Sequence, residues 1–138
     1  MSRLWGPAAA GLFLLCAVFG QGLAQGDAKR GLYISKAAGC LGCHTEAKEG
    51  AQAYAGGREL KTPFGTFYGP NITPHPQAGI GRWSEQDFLT ALRTARRPDG
   101  SAIDPQMPVK MTKHMTDTEL KALYAYLRTV PAKPYGVR

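Results

Sequence analysis

The sequence predicts an all-α domain whose few helices and long loops close around something larger than its own side chains. Three observations carry that expectation. Three segments show helical periodicity. The connections between them are long and rich in Gly and Pro. Cys40, Cys43 and His44 lie within five residues of a chain that has only three cysteines and three histidines.

The first helical segment, residues 27–38, carries Leu32, Tyr33 and Ala37 near helical spacing and runs directly into Cys40. The second covers 83–97, with Ser84 as N-cap, Asp87 three residues on, and an apolar stripe of Phe88, Leu92 and Ala95. The third, 115–131, is the strongest. Thr116 and Glu119 form a capping box, Leu120, Leu123, Tyr124, Leu127 and Val130 repeat on one face, and Pro131 stops it. Residues 54–82 hold Gly and Pro too often for a helix, with "FGTFYG" at 64–69 a candidate strand. Residues 97–110 form a second such loop before the last helix. No repeat, low-complexity tract or linker interrupts 25–138, which is read as one domain.

Residues 1–24 read as an export leader. Arg3 opens it, Pro7 to Gly20 is a short apolar run, and small residues follow, with cleavage expected after Ala24. A membrane span needs about 20 apolar residues, more than this run offers; an uncleaved anchor is the alternative. Cys16 follows Leu15, where a lipoprotein signal wants a small residue, and is expected to leave with the leader. The remaining 114 residues hold two cysteines and 16 Lys plus Arg against 10 Asp plus Glu, a net charge of +6. The expected compartment is the periplasm. A basic exported protein suits an anionic membrane surface or an acidic protein face. Nucleic acid is not expected, because no basic run is interleaved with aromatics, and Arg93, Arg96 and Arg97 read as a solvated helix end.

A domain of this size buries a marginal core, and long loops in it need a purpose. The cysteine–histidine stretch supplies one. Positions i, i+3 and i+4 share a helix face, so Cys40, Cys43 and His44 point together if the first helix continues through them. A structural zinc site wants four ligands, and there is no second Cys pair. A thioredoxin-like dithiol belongs near a βαβ pattern, and none is visible. A disulfide across two residues restrains almost no chain and leaves His44 without a role. Covalent haem attachment uses all three: both sulfurs are alkylated by the vinyl groups and the imidazole reaches the iron.

The opposite axial position needs a second ligand. Met107, Met111 and Met115 lie within nine residues, ahead of the last helix. Met107 is favoured, because Pro105 and Pro108 bracket it and stiffen the loop. Met111 is the rival. Met115 suits packing at the helix start, and His75 and His114 are expected to face solvent. A thioether opposite an imidazole raises the reduction potential and closes the position to O2 or peroxide.

With "CLGCH" near the N-terminus, a late "MP" and a closing helix, the sequence resembles a class I monohaem cytochrome c. The ordered segments "AGGRELKTPFGTFYGPNITP", "GIGRWSEQDFLTALRTARRPDG" and "PQMP" are similar to one haem module of the cytochrome c subunits of bacterial membrane-bound alcohol, aldehyde and gluconate dehydrogenases. Those subunits usually carry three modules; this chain carries one C-x-x-C-H, which points to a stand-alone carrier or a small partner subunit. The resemblance implies a class I fold around one haem c and its iron, ligated by His44 and Met107. It implies one-electron transfer rather than enzymatic turnover, redox protein partners and no small-molecule substrate. It further implies that the Pro63 carbonyl orients His44, that Trp83, Asn71 and Thr73 lie near the haem propionates, and that Gly31 meets Tyr126 or Leu127 where first and last helices cross. A catalytic or gas-binding haem protein with an open sixth position is the alternative. A haem-free module with a Cys40–Cys43 disulfide is a third reading.

Overall fold

The computed structural model describes residues 27–134. The expected leader, with Cys16 and the cleavage point at Ala24, lies outside the described residues. Five helices and one two-stranded antiparallel sheet make up the described chain. The mostly helical class I cytochrome expectation is met, with a hairpin added.

Helix α1 spans Ala28–Ala37 and starts where the Asp27 carboxylate accepts the Lys29 and Arg30 backbone N–H groups. Its buried face is Gly31, Ile34 and Ser35. The sequence reading placed that face wrongly: Tyr33 is 69% exposed. The reason is the partner. Helix α5, Asp117–Leu127, crosses α1 so closely that a Cβ at Gly31 would lie 2.0 Å from the Ala122 carbonyl oxygen and 2.6 Å from Tyr126 Cβ. The helix therefore turns its smallest residue inward, and the expected crossing near Tyr126 is observed.

Helix α1 does not run through the cysteines. It ends at Ala37, Gly39 takes a left-handed backbone (φ 72°), and a separate helix, α2, spans Cys40–His44. The glycine tolerates that conformation and redirects the chain. The shared face of Cys40, Cys43 and His44 survives, but on α2's own single turn.

The hairpin pairs β1, Glu59–Thr62, with β2, Gly65–Tyr68, in the register Leu60 opposite Phe67. Helix α3, Glu85–Thr94, opens at Ser84 with a reciprocal capping box to Asp87, as its sequence predicted. Its buried residues are Phe88, Leu89, Ala91 and Leu92; Ala95 is the left-handed C-cap, not part of the stripe. Helix α4 is one turn, Val109–Thr112. Helix α5 has the capping box of Thr116 and Glu119 but ends at Leu127, four residues short of Pro131, with Val130 still buried.

The core is built from Ile34, Tyr54, Ile80, Phe88, Leu89, Leu92, Leu120, Leu123, Leu127 and Val130. It lies between α1, α3 and α5, with Tyr54 and Ile80 contributed by the loops. The segment after α5 is tied back to the long loop: Gln52 donates to the Pro131 carbonyl at 2.6 Å, and Asn71 to that of Lys133 at 3.0 Å. None of the helices among the described residues is long and apolar enough to cross a membrane.

Candidate haem site

Cys40 and Cys43 are half-buried free thiols one helical turn apart on α2, and His44 at its end is 6% exposed. Burial pushes the Cys40 thiol up from its ordinary value, and a Ser35 hydroxyl alongside partly offsets this. Burial also holds the His44 imidazole below its usual range, against a smaller opposing pull from the Pro70 carbonyl. Burial therefore favours the neutral ring.

Its tautomer follows from geometry. Nδ1 lies 2.8 Å from the Pro70 carbonyl oxygen. A carbonyl only accepts, so Nδ1 carries the proton, and in the neutral ring Nε2 keeps its lone pair. That is the form a metal needs.

The orienting carbonyl is thus that of Pro70, not Pro63. Pro63 sits exposed in the hairpin turn, where Thr62 Oγ1 accepts from Phe64 N–H and donates to the Gly65 carbonyl. Pro70 reaches His44 because the residue before it is glycine. A Cβ at Gly69 would lie 1.7 Å from the Cys43 carbonyl oxygen, so only glycine lets this strand end pass so close to α2. No local sequence pattern records which backbone will pass a histidine 26 residues earlier.

Two further elements hold His44. Gly56 N–H donates to the His44 carbonyl at 2.8 Å, and Tyr54 N–H donates to Thr45 Oγ1 at 3.1 Å. Tyr54 was missed by sequence reading. It is 2% exposed and sits at φ 64°, uncommon for a bulky residue. Its hydroxyl meets Ser35 Oγ at 2.6 Å, and its ring lies edge-on to Tyr126 at 5.7 Å. Burial, with Tyr126 nearby, pushes the hydroxyl up to about 12 despite the Ser35 bond.

Asn71 and Thr73 are both buried. Asn71 Oδ1 accepts from the Thr73 backbone and hydroxyl at 2.9 and 2.7 Å, and Thr73 Oγ1 accepts from Lys133 N–H at 3.1 Å. These partners make the pair the frame of the 71–80 loop. Trp83 is half-buried against the core, and its carbonyl accepts the Tyr124 hydroxyl at 2.8 Å. Of the methionines, Met107 and Met115 pack half-buried against the core, whereas Met111 is 68% exposed. His114 is exposed; His75 is half-buried, its Nδ1 accepting the Ala78 N–H at 3.1 Å.

Paired thiols beside a neutral, oriented imidazole, in a small helical fold with long loops, define a covalent-haem electron-transfer protein. The chain belongs to the cytochrome c family, whose family model, described as "Cytochrome c", matches residues 28–131. Over 131 residues it is 43% identical to the cytochrome c subunit of alcohol dehydrogenase (quinone) from Gluconobacter oxydans (strain 621H), covering 91% of this chain and 27% of that protein. It is 42% identical over 100 residues to the fructose dehydrogenase cytochrome subunit of Gluconobacter japonicus, covering 72% and 20%. To the gluconate 2-dehydrogenase cytochrome c subunit of Pantoea cypripedii it is 42% identical over 98 residues, covering 71% and 22%. The chain spans about a quarter of the length of these relatives. Haem c with its iron is the group this family binds covalently, and the free Cys40 and Cys43 with the neutral His44 fit it.

Proposed function

We propose that this chain is a periplasmic one-electron carrier, working alone or as the electron-accepting component of a periplasmic dehydrogenase. The observation that carries the reading is the Pro70–His44 bond, which presents a neutral imidazole nitrogen beside two free thiols. The names of the relatives, cytochrome subunits of alcohol, fructose and gluconate dehydrogenases, support the second form.

When bound, the haem supplies a one-electron Fe(III)/Fe(II) couple. The chain's residues do the rest. Cys40 and Cys43 anchor the group by thioether bonds. His44 Nε2 would bind the iron, its ring oriented by the Pro70 carbonyl. Met107, half-buried against the core, would supply a thioether to the iron, which would favour its reduced form and exclude small oxidants. Trp83, Asn71 and Thr73 serve the propionate side; Ile80 links them, its carbonyl accepting the Trp83 N–H at 3.0 Å and its N–H donating to the Thr73 carbonyl at 2.9 Å. The net charge of +6 after leader removal steers the protein toward acidic redox partners, with association weakening as salt rises. Membrane association, where it occurs, comes through a partner or an uncleaved leader.

The test is purification of the exported protein. A mature mass carrying one haem, sharp visible bands after dithionite and a reduced spectrum unchanged by carbon monoxide are expected. Colourless material would overturn the reading; ready carbon monoxide binding would replace it with the gas-binding one.

A further inference from the structure

The segment that carries Met107 is fastened at both feet to the C-terminal end of α3. At the upstream foot, Ile103 N–H donates to the Ala95 carbonyl and Arg97 N–H to that of Ser101, each at 2.8 Å, while the Arg97 guanidinium reaches the Ala102 carbonyl. At the downstream foot, buried Thr112 donates its hydroxyl to the Leu92 carbonyl at 2.8 Å. Arg93 completes it. Its Nη1 donates to the Lys113 carbonyl at 3.0 Å, its Nη2 to that of Met115 at 3.1 Å, and Nη2 also pairs with the Asp117 carboxylate.

Between the feet, the backbone bonds among the described residues stay inside the strap. Met107 N–H bonds the Asp104 carbonyl at 3.0 Å, Val109 that of Met107 at 2.7 Å, and Met111 that of Pro108 at 2.8 Å. The strap is a stiff arch standing on two supports. The upstream support is mostly main chain. The downstream one hangs largely on a single guanidinium, whose planar fork serves two carbonyls and a carboxylate at once.

A thioether is a neutral, weak ligand, so its hold on a metal depends on how little freedom it loses in binding. We propose that Arg93 is a positioning residue for the sixth ligand: by fastening Lys113, Met115 and Asp117 to α3, it sets how readily Met107 yields to an exogenous ligand. The proposal rests on Met107 being that ligand.

The test uses the oxidised holoprotein, with imidazole as probe. Arg93→Gln is expected to keep its covalent haem and visible bands yet bind imidazole about tenfold more tightly, the scale of one lost charge-assisted hydrogen bond. Amide exchange in 103–112 should quicken in parallel. Arg93→Lys, a point charge without the fork, restores only part. Lys29→Gln, an exposed change on α1, serves as control and leaves imidazole affinity unchanged. If Arg93→Gln binds imidazole as the parent does, the proposal is wrong. Should that variant not fold, Thr112→Val opens the same foot and must give the same gain; its failure to do so also sinks the proposal. Met107→Ala separates the two readings: if it keeps the sulfur-to-iron charge-transfer band, the ligand assignment fails. If it loses the band while Arg93→Gln behaves as parent, only the clamp fails.

Discussion

The Pro70 carbonyl oxygen sits 2.8 Å from Nδ1 of His44, joining the end of a hairpin to the end of the helix that bears both cysteines. One hydrogen bond from side chain to backbone thereby fixes the ring's tautomer and its direction. The bond depends on Gly69, which lets the strand pass against Cys43.

Gly69→Ala is the way to disturb that bond without touching His44. The added methyl would lie 1.7 Å from the Cys43 carbonyl oxygen, so the backbone there must move. We expect about 1–3 kcal/mol of lost stability or more, together with lower haem incorporation and a shifted reduction potential. Denaturation and potentiometry of the holoprotein check both; an unchanged potential would show that Pro70 does not govern the ring.

Met107 and Met111 are distinguished by burial: Met107 packs half-buried against the core, and Met111 is largely exposed. Met107→Ala is expected to lower the potential by a sizeable part of the roughly 0.8 V range that axial ligation spans, and to abolish the weak sulfur-to-iron band. Met111→Ala should leave both in place. The reverse pattern would move the ligand to Met111.

Tyr54 carries a pH signature. Its hydroxyl is pushed up to about 12 by burial, against an ordinary value near 10. The folded protein keeps that proton while the unfolded chain releases it, so the contribution is full below about pH 10 and disappears as pH rises toward 12. Tyr54→Phe should remove this alkaline slope. At neutral pH it should cost about 1–3 kcal/mol, because buried Ser35 loses its 2.6 Å bond to the Tyr54 hydroxyl. Stability measured against pH for both proteins decides it; parallel curves would count against the buried hydroxyl pair.

Gly31→Ala tests the crossing of first and last helices. With 2.0 Å between the new Cβ and the Ala122 carbonyl oxygen, the helices must separate, and a drop in melting temperature corresponding to about 1–3 kcal/mol is expected. An unchanged melting temperature would mean that the crossing is looser than it stands.

The sequence alone determined the class of the molecule and the start of each long helix. Ser84 and Thr116 cap as read, because a cap is a contact among residues three apart. The C-x-x-C-H stretch was legible for the same reason: its chemistry is local. The structure decided what depends on the meeting of distant segments. It turned α1 so that Gly31, Ile34 and Ser35 face α5, although Tyr33 is the larger apolar residue. It chose Pro70 over Pro63 to hold His44, and it lodged Tyr54 in the core on a left-handed backbone. Those outcomes rest on close approach between chains far apart in sequence. Such approach is set by excluded volume and backbone hydrogen bonding across the whole fold, and residue type and spacing carry no direct record of it.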